Sequence, residues 1–277
     1  MPERPDGHLD ARSRHLRRLV IRGLAGAGRG HLGPALSLIE ILRVLYDDVM
    51  HVPPAEPSAA ERDRIILSKG HGCLALYALL ADKGFFPAEW LDEFCKFGAP
   101  LGGHPEAGEV PGVEASTGAL GHGLAIGVGM ALAARLQQRP SRVAVVMGDG
   151  EINEGAVWEA ALVAAKHRLS RLVAVIDVNG MQASGPTAEV LDMAPLAAKW
   201  ESFGFFVQDI DGHDVDALRG AFGRCFAQHG RPSALLCRTT KGKGVSFVEN
   251  NADWHHKNQL KGEETAALLR ELGEHHA

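Results

Sequence analysis

Cysteine is scarce in these 277 residues, and Cys73, Cys95, Cys225 and Cys237 include no CxxC pair. That excludes a disulfide framework and a cysteine-built zinc site, and it suits a reducing cytosol, so a cytoplasmic protein is expected. Long apolar runs are missing as well. The longest, 74–81, is far too short to span a bilayer. Asp6 and Asp10 interrupt the basic N-terminus and no apolar segment follows, so no secretory signal is read. Positive charge is in deficit: 29 Lys and Arg against 34 Asp and Glu leave a net charge of −5, which argues against a nucleic-acid surface. There is no repeat, low-complexity tract or clear linker. One domain spanning 1–277 is expected.

The apolar content, 45 %, is enough for a sizeable core. Helices are expected at 9–25, 37–49, about 72–83, 87–97, 120–136, 155–168, 192–203 and 214–228. Strands are expected at 64–67, 142–147, 171–177, 205–210 and 233–238. Segment 50–63 reads as a Pro- and Ala-rich loop, and 98–117 as a Gly- and Pro-rich surface loop. Strands alternating with helices of this length imply an α/β fold with a parallel sheet flanked by helices.

The stretch "VAVVMGDGEINEGAVWEAA" (143–161) raises a conflict. Glycines at a strand–helix junction suit a phosphate, because free backbone N–H groups and the positive end of a helix attract anions. Yet Asp149, Glu151 and Glu154 stand there and would repel one. The following strand ends in Asp177-Val178-Asn179. If the two strands are parallel neighbours, Asp149 and Asn179 emerge at the carboxyl edge of the sheet, where open α/β folds bind ligands. A carboxylate oxygen, an amide oxygen and a backbone carbonyl are hard ligands suited to Mg²⁺ or Ca²⁺. A divalent cation between the acids and the phosphates resolves the conflict, and the ligand implied is a diphosphate.

Gly-Asp-Gly followed by Asn179 resembles the thiamine diphosphate motif of transketolases. The blocks "GRGHLGPALSLIEIL" (28–42), "LSKGHGCLALYALLADKG" (67–84), "GGHPEAGEVPGVEASTGALGHGL" (102–124), "DVNGMQASG" (177–185) and "TTKGKGVSF" (239–247) occur in transketolase order. The resemblance is to the N-terminal, diphosphate-binding subunit of a split transketolase. It implies a thiamine-diphosphate-binding fold and a transferase that moves a two-carbon ketol unit from a ketose, or its phosphate, to an aldose or its phosphate.

The resemblance also assigns residues. Asp149, Asn179 and the Met181 carbonyl match the family's metal ligands. Gly150 matches the residue whose N–H meets the diphosphate, and Glu151 joins the cofactor-binding set. Gly118 and Leu120 match contacts to the aminopyrimidine. Glu154 matches the acid that meets the activating glutamate of a partner chain. His31, His71 and His104 sit in Gly-rich loops and match histidines of the substrate channel, with His71 also at the cofactor. His255 is favoured over His256 as a further channel and cofactor histidine. A neutral imidazole can both give and accept a proton, as carbonyl chemistry requires. His8, His15, His51, His167, His213, His229, His275 and His276 are expected on solvated surfaces. Ala119 and His122 depart from the Pro and Gln common in the family. His122 either adds a polar group near the cofactor or caps a helix.

The activating glutamate lies in the family's pyrimidine-binding module, for which no stretch here is spare. The resemblance therefore implies a partner chain carrying that module, with two copies of each chain. Three alternatives stay open: the α-type chain of a 2-oxo acid dehydrogenase, a transketolase-like enzyme acting on an unusual sugar, and a non-catalytic cofactor-binding or scaffolding partner.

Overall fold

The computed structural model describes residues 9–273. His8, His275 and His276 lie outside them. The centre is a parallel sheet of β1 (Arg64–Leu67), β2 (Val143–Gly148), β3 (Leu172–Val178), β4 (Phe206–Asp211) and β5 (Ser233–Arg238), in the order β1-β2-β3-β5-β4. Successive side chains of a strand point to opposite faces. Ala144 and Val146 of β2, with Val173 and Val175 of β3, face a layer built from the helices Ala11–Ala27, Ile39–Val44, Cys73–Asp82, Val215–Phe226 and Gly262–Glu271. Val143, Val145 and Met147, with Ala174 and Ile176, face the helices Gly123–Leu136, Gly155–Lys166 and Leu196–Ser202. Both faces are covered, which is why β2 and β3 read as nearly unbroken apolar runs.

All five strands fall where expected, to within a residue or two. Several helices differ. Segment 87–97 holds only a 3₁₀ turn, Ala88–Glu93. Leu91 and Phe94 are its buried anchors, and their spacing of three fits the tighter turn. Segment 37–49 divides into Ile39–Val44 and a π-helical turn, Leu45–Val49, after a separate short helix, Gly33–Leu36, with Pro34 in its first turn. The expected helix from 120 begins at Gly123, because Gly118 (φ 133°) and Gly121 (φ 85°) hold the preceding loop in glycine-only conformations. Residues 192–195 stay outside the helix Leu196–Ser202, and the short helix Thr187–Leu191 precedes them. The helix Gly262–Glu271 was not expected.

In the pairing of β2 with β3, Gly148 lies opposite Asp177. Asp149 and Asn179 therefore leave the sheet at the same edge, as expected if the strands were parallel neighbours.

Candidate active site

A cavity of about 330 Å³ opens at this edge. Its wall includes His31, Lys69, His71, His104, Gly118, Leu120, Asp149, Gly150, Glu151, Asn179, Met181, Gln182, Lys241 and His255. Residues far apart in the chain are joined here by backbone. Gly30 and Lys257 exchange two hydrogen bonds of 2.9 and 2.8 Å, which sets the loop of His31 against the loop of His255. The His31 ring centre is 5.4 Å from those of His71 and His255 and 6.4 Å from that of His104.

The floor is polar and closed. Asp177 is fully buried and accepts hydrogen bonds from Lys69 Nζ (2.6 Å), Ser37 Oγ (2.7 Å), Asn179 Nδ2 (3.1 Å) and Thr239 Oγ1. Burial alone would raise its pKa, but the Lys69 ammonium and the hydroxyls hold it below the usual carboxylate range. Through the bond from Nδ2, Asp177 fixes which end of the Asn179 amide is oxygen. That oxygen accepts from the Met181 N–H at 3.1 Å.

Asp149 is different. Its two oxygens accept from the Gly150 and Gly180 N–H groups at 2.9 and 2.6 Å, and no cation among the described residues pairs with it. Burial, then the charge of Asp177, raise its pKa to about 6. A carboxylate kept from water without a counter-charge favours a cation beside it. Glu151 lines the cavity, but its carboxylate is committed to the Gly121 N–H (3.0 Å), the Gly148 N–H (3.2 Å) and the Ser68 hydroxyl. It holds the glycine loops on either side.

Among the described residues, the histidines of this cluster carry no acidic partner. Burial and neighbouring positive groups keep them uncharged: His31 falls to about 3, His255 to about 4 and His71 to about 2. His104 is more open, at the mouth, and its backbone carbonyl accepts from the Tyr77 hydroxyl at 2.9 Å. Gly118 packs on its ring, and a Cβ at that position would meet His104 Cδ2 at 2.9 Å.

The cavity brings together every expected site residue except Glu154. That side chain is exposed beside Gly121, outside the wall. His256 meets His31 edge to face, with ring centres 4.5 Å apart, but is exposed and does not line the cavity. His122 is exposed at the N-cap position of the helix Gly123–Leu136, and its Nδ1 meets the Leu120 carbonyl oxygen at 3.1 Å, so its side chain makes no cap bond. His213 corrects the surface expectation. Its Nε2 accepts from the Thr240 N–H at 2.8 Å, so Nδ1 carries the proton toward Glu40, 2.8 Å away, and Glu40 is itself paired with buried Arg17. Nothing in the local sequence distinguishes it from a surface histidine.

Lys69, Asp177, Gln182 and Lys241 were missed. A lysine between a hydroxyl residue and a glycine, two or three positions after a strand, is the signal that was available for the two lysines. Two buried nitrogens, Gln182 Nε2 and His255 Nδ1, have no hydrogen-bond partner, so the wall holds polar atoms awaiting a ligand.

Residues 10–277 match the family described as "Transketolase, thiamine diphosphate binding domain". The chain belongs to that family. It is 42% identical over 248 residues to one of the subunits of the apulose-4-phosphate transketolase from Phocaeicola vulgatus, covering 90% of this chain and 88% of the relative. It is 42% identical over 257 residues to the 6-deoxy-6-sulfo-D-fructose transketolase subunit SqwG of a Clostridium species, covering 93% of each. The transketolase of Leishmania mexicana superposes with a TM-score of 0.89 at 30% identity over 96% of this chain, which spans only 42% of that protein's length. The chain is thus a transketolase-type transferase subunit with a thiamine diphosphate-binding domain. Among the described residues no helix is long and apolar enough to cross a membrane.

Proposed function

We propose that this chain is a single module holding the diphosphate and metal of thiamine diphosphate, and that it moves a ketol unit only beside a chain carrying the pyrimidine-binding module. The observation that carries the reading is Asp149: a buried carboxylate with no ion-pair partner among the described residues, facing a cavity that also holds Asn179, the Met181 carbonyl and three uncharged histidines. The donor set is all oxygen, which fits Mg²⁺ or Ca²⁺. Gly150 fits a close anion, since a Cβ there would meet Gln182 Cγ at 2.9 Å and close the approach. When bound, thiamine diphosphate supplies the electron sink that lets a bond beside a ketose carbonyl break. His31, His71, His104 and His255 are proposed to hold substrate hydroxyls and move protons. Leu120 and Gly118 are proposed to meet the aminopyrimidine.

Exposed apolar side chains support the need for a partner. Leu136, Leu162, Val163, Val190 and Leu191 are exposed on the helices Gly123–Leu136, Gly155–Lys166 and Thr187–Leu191. A patch of this kind marks an interaction face. It supports docking of the pyrimidine-binding chain, with two copies of each in a closed assembly. The substrates proposed are sugars or sugar phosphates, and two relatives are named for ketoses that bear an anionic group. A cytoplasmic setting is proposed, since all four cysteines are free.

The test is reconstitution. Alone, the chain should transfer no ketol unit and bind thiamine diphosphate weakly. Mixing with a cognate pyrimidine-module chain should restore both, read by a coupled assay and by light scattering. Full turnover by the isolated chain would overturn the reading.

A further inference from the structure

Lys241 has no role in the account above, yet it is 1% exposed and sits in the cavity wall. Its stem lies on Gly33, where a Cβ would meet Lys241 Cγ at 3.3 Å. Its backbone is pinned on both sides: the Thr240 N–H donates to His213, the Asn250 N–H donates to the Lys241 carbonyl, and the Gly242 N–H donates to the Gly33 carbonyl. The ammonium is therefore delivered to one place. There it donates to two main-chain carbonyls, Met181 O and Gln182 O, each at 3.1 Å. No carboxylate among the described residues forms an ion pair with it.

Those two carbonyls belong to a turn whose backbone-to-backbone bonds are internal: Gln182 N–H to Gly185 O, and Thr187 N–H to Gly180 O. Two neighbouring carbonyl dipoles aimed the same way repel each other, and a cation between them removes the conflict. One of the two, Met181 O, is the proposed third metal ligand. The ammonium and a divalent ion would then share one oxygen, and two cations at that range oppose each other. Their repulsion outweighs the single hydrogen bond by which the lysine orients the carbonyl. An anionic diphosphate reaching both cations reverses the sign.

We propose that Lys241 is the resident cation of this turn: it presets the Met181 carbonyl for the metal and makes metal binding depend on a diphosphate arriving with it. The proposal rests on the metal site proposed above. It assigns Lys241 a positioning and coupling role. By linkage, the metal must then favour diphosphate as strongly as diphosphate favours the metal.

The test uses the full-length chain with Mn²⁺ as the probe, followed by electron paramagnetic resonance, and inorganic pyrophosphate in place of the cofactor. Lys241→Met should bind Mn²⁺ alone more tightly than wild type, by a factor in the usual range of coupling between bound groups, roughly 5–150-fold. It should bind pyrophosphate alone more weakly. Without metal, amides 180–185 should exchange faster with deuterium, and Mn²⁺ should restore their protection. Lys241→Arg keeps the charge and should leave Mn²⁺ binding as weak as in wild type, with thermal unfolding confirming that both variants fold. Unchanged or weaker Mn²⁺ binding by folded Lys241→Met overturns the proposal and leaves a lysine that only shapes the turn. Failure of the wild type to bind Mn²⁺ and pyrophosphate together overturns the metal site itself, a different result.

Discussion

Asp177 and Asp149 lie one backbone hydrogen bond apart, Asp149 N–H to Asp177 O at 3.1 Å, but they stand in opposite surroundings. The floor around Asp177 is saturated: a lysine, two hydroxyls and an amide meet its oxygens, and its pKa falls. The lip around Asp149 offers only two backbone N–H groups, and its pKa rises to about 6. Two acids on neighbouring strands thus do different work. A buried acid with its ion-pair partner supplied serves the structure, whereas one left without such a partner beside a cavity is the one proposed to hold a cation. The same contrast holds for the lysines, since Lys69 has a carboxylate and Lys241 has only carbonyls.

The most severe way to probe the contrast is to remove the floor. Asp177→Ala strands the Lys69 ammonium, which is 1% exposed, and takes the acceptor from the Asn179 amide. Breaking a buried pair from one side costs about 3–5 kcal/mol. Against a usual total of about 5–15 kcal/mol, that should lower the urea midpoint sharply and reduce soluble yield. A loss below about 1 kcal/mol would show that water reaches Lys69 and that the floor is not closed.

Changing the lip should act the other way. The folded-state pKa of Asp149, about 6, lies above its unfolded value of 3.8. The folded protein therefore holds this proton more tightly than the unfolded chain does. Stability from it is present at low pH and is lost as pH rises through 6. Whatever constant penalty the loss of one acceptor oxygen carries, the gap between metal-free Asp149→Asn and wild type should consequently move in the variant's favour by about 1–3 kcal/mol between pH 3.5 and pH 7.5. The variant's Mg²⁺ requirement for diphosphate binding should rise by more than the roughly 10–100-fold seen when a residue behind a metal ligand is changed. A gap that does not change with pH, with unaltered metal dependence, would place Asp149 with Asp177, as structure.

The lip was more legible in the sequence than the floor. Gly-Asp-Gly and Asn179 announce themselves because glycines and acids at a strand end have few other uses, and their neighbours in the chain are their neighbours in space. The five strands were legible for the same local reason, as apolar runs between breakers. The floor is assembled from Ser37, Lys69, Asp177 and Thr239, brought together only by the fold. Each looks ordinary alone. The pairing of Arg17, Glu40 and His213 was hidden likewise, and its histidine read as solvated. Helix ends were lost where a short-range feature outweighed periodicity, as with the positive φ of Gly118 and Gly121 ahead of Gly123.

The smallest expected effect sharpens the contrast from the acid side. His71 has an ordinary pKa of 6.5 when unfolded and is held at about 2 in the fold, first by burial and then by Lys69. The unfolded chain therefore takes up a proton below pH 6.5 that the folded chain refuses. The sign is the reverse of that for Asp149: this contribution costs nothing above pH 6.5 and removes stability as pH falls from there. One proton shifts stability by about 1.4 kcal/mol per pH unit once the two states differ fully. His71→Asn removes that proton while keeping a polar side chain of similar reach. Whatever constant penalty the substitution carries, the gap between variant and wild type should move in the variant's favour by about 1–2 kcal/mol between pH 7.5 and pH 5. Urea midpoints of the metal-free protein at half-unit pH steps measure this, because carboxylates elsewhere titrate alike in both proteins and cancel in the difference. Parallel curves across that window would mean that His71 takes up its proton in the fold, and the cavity wall would then be charged at pH 5.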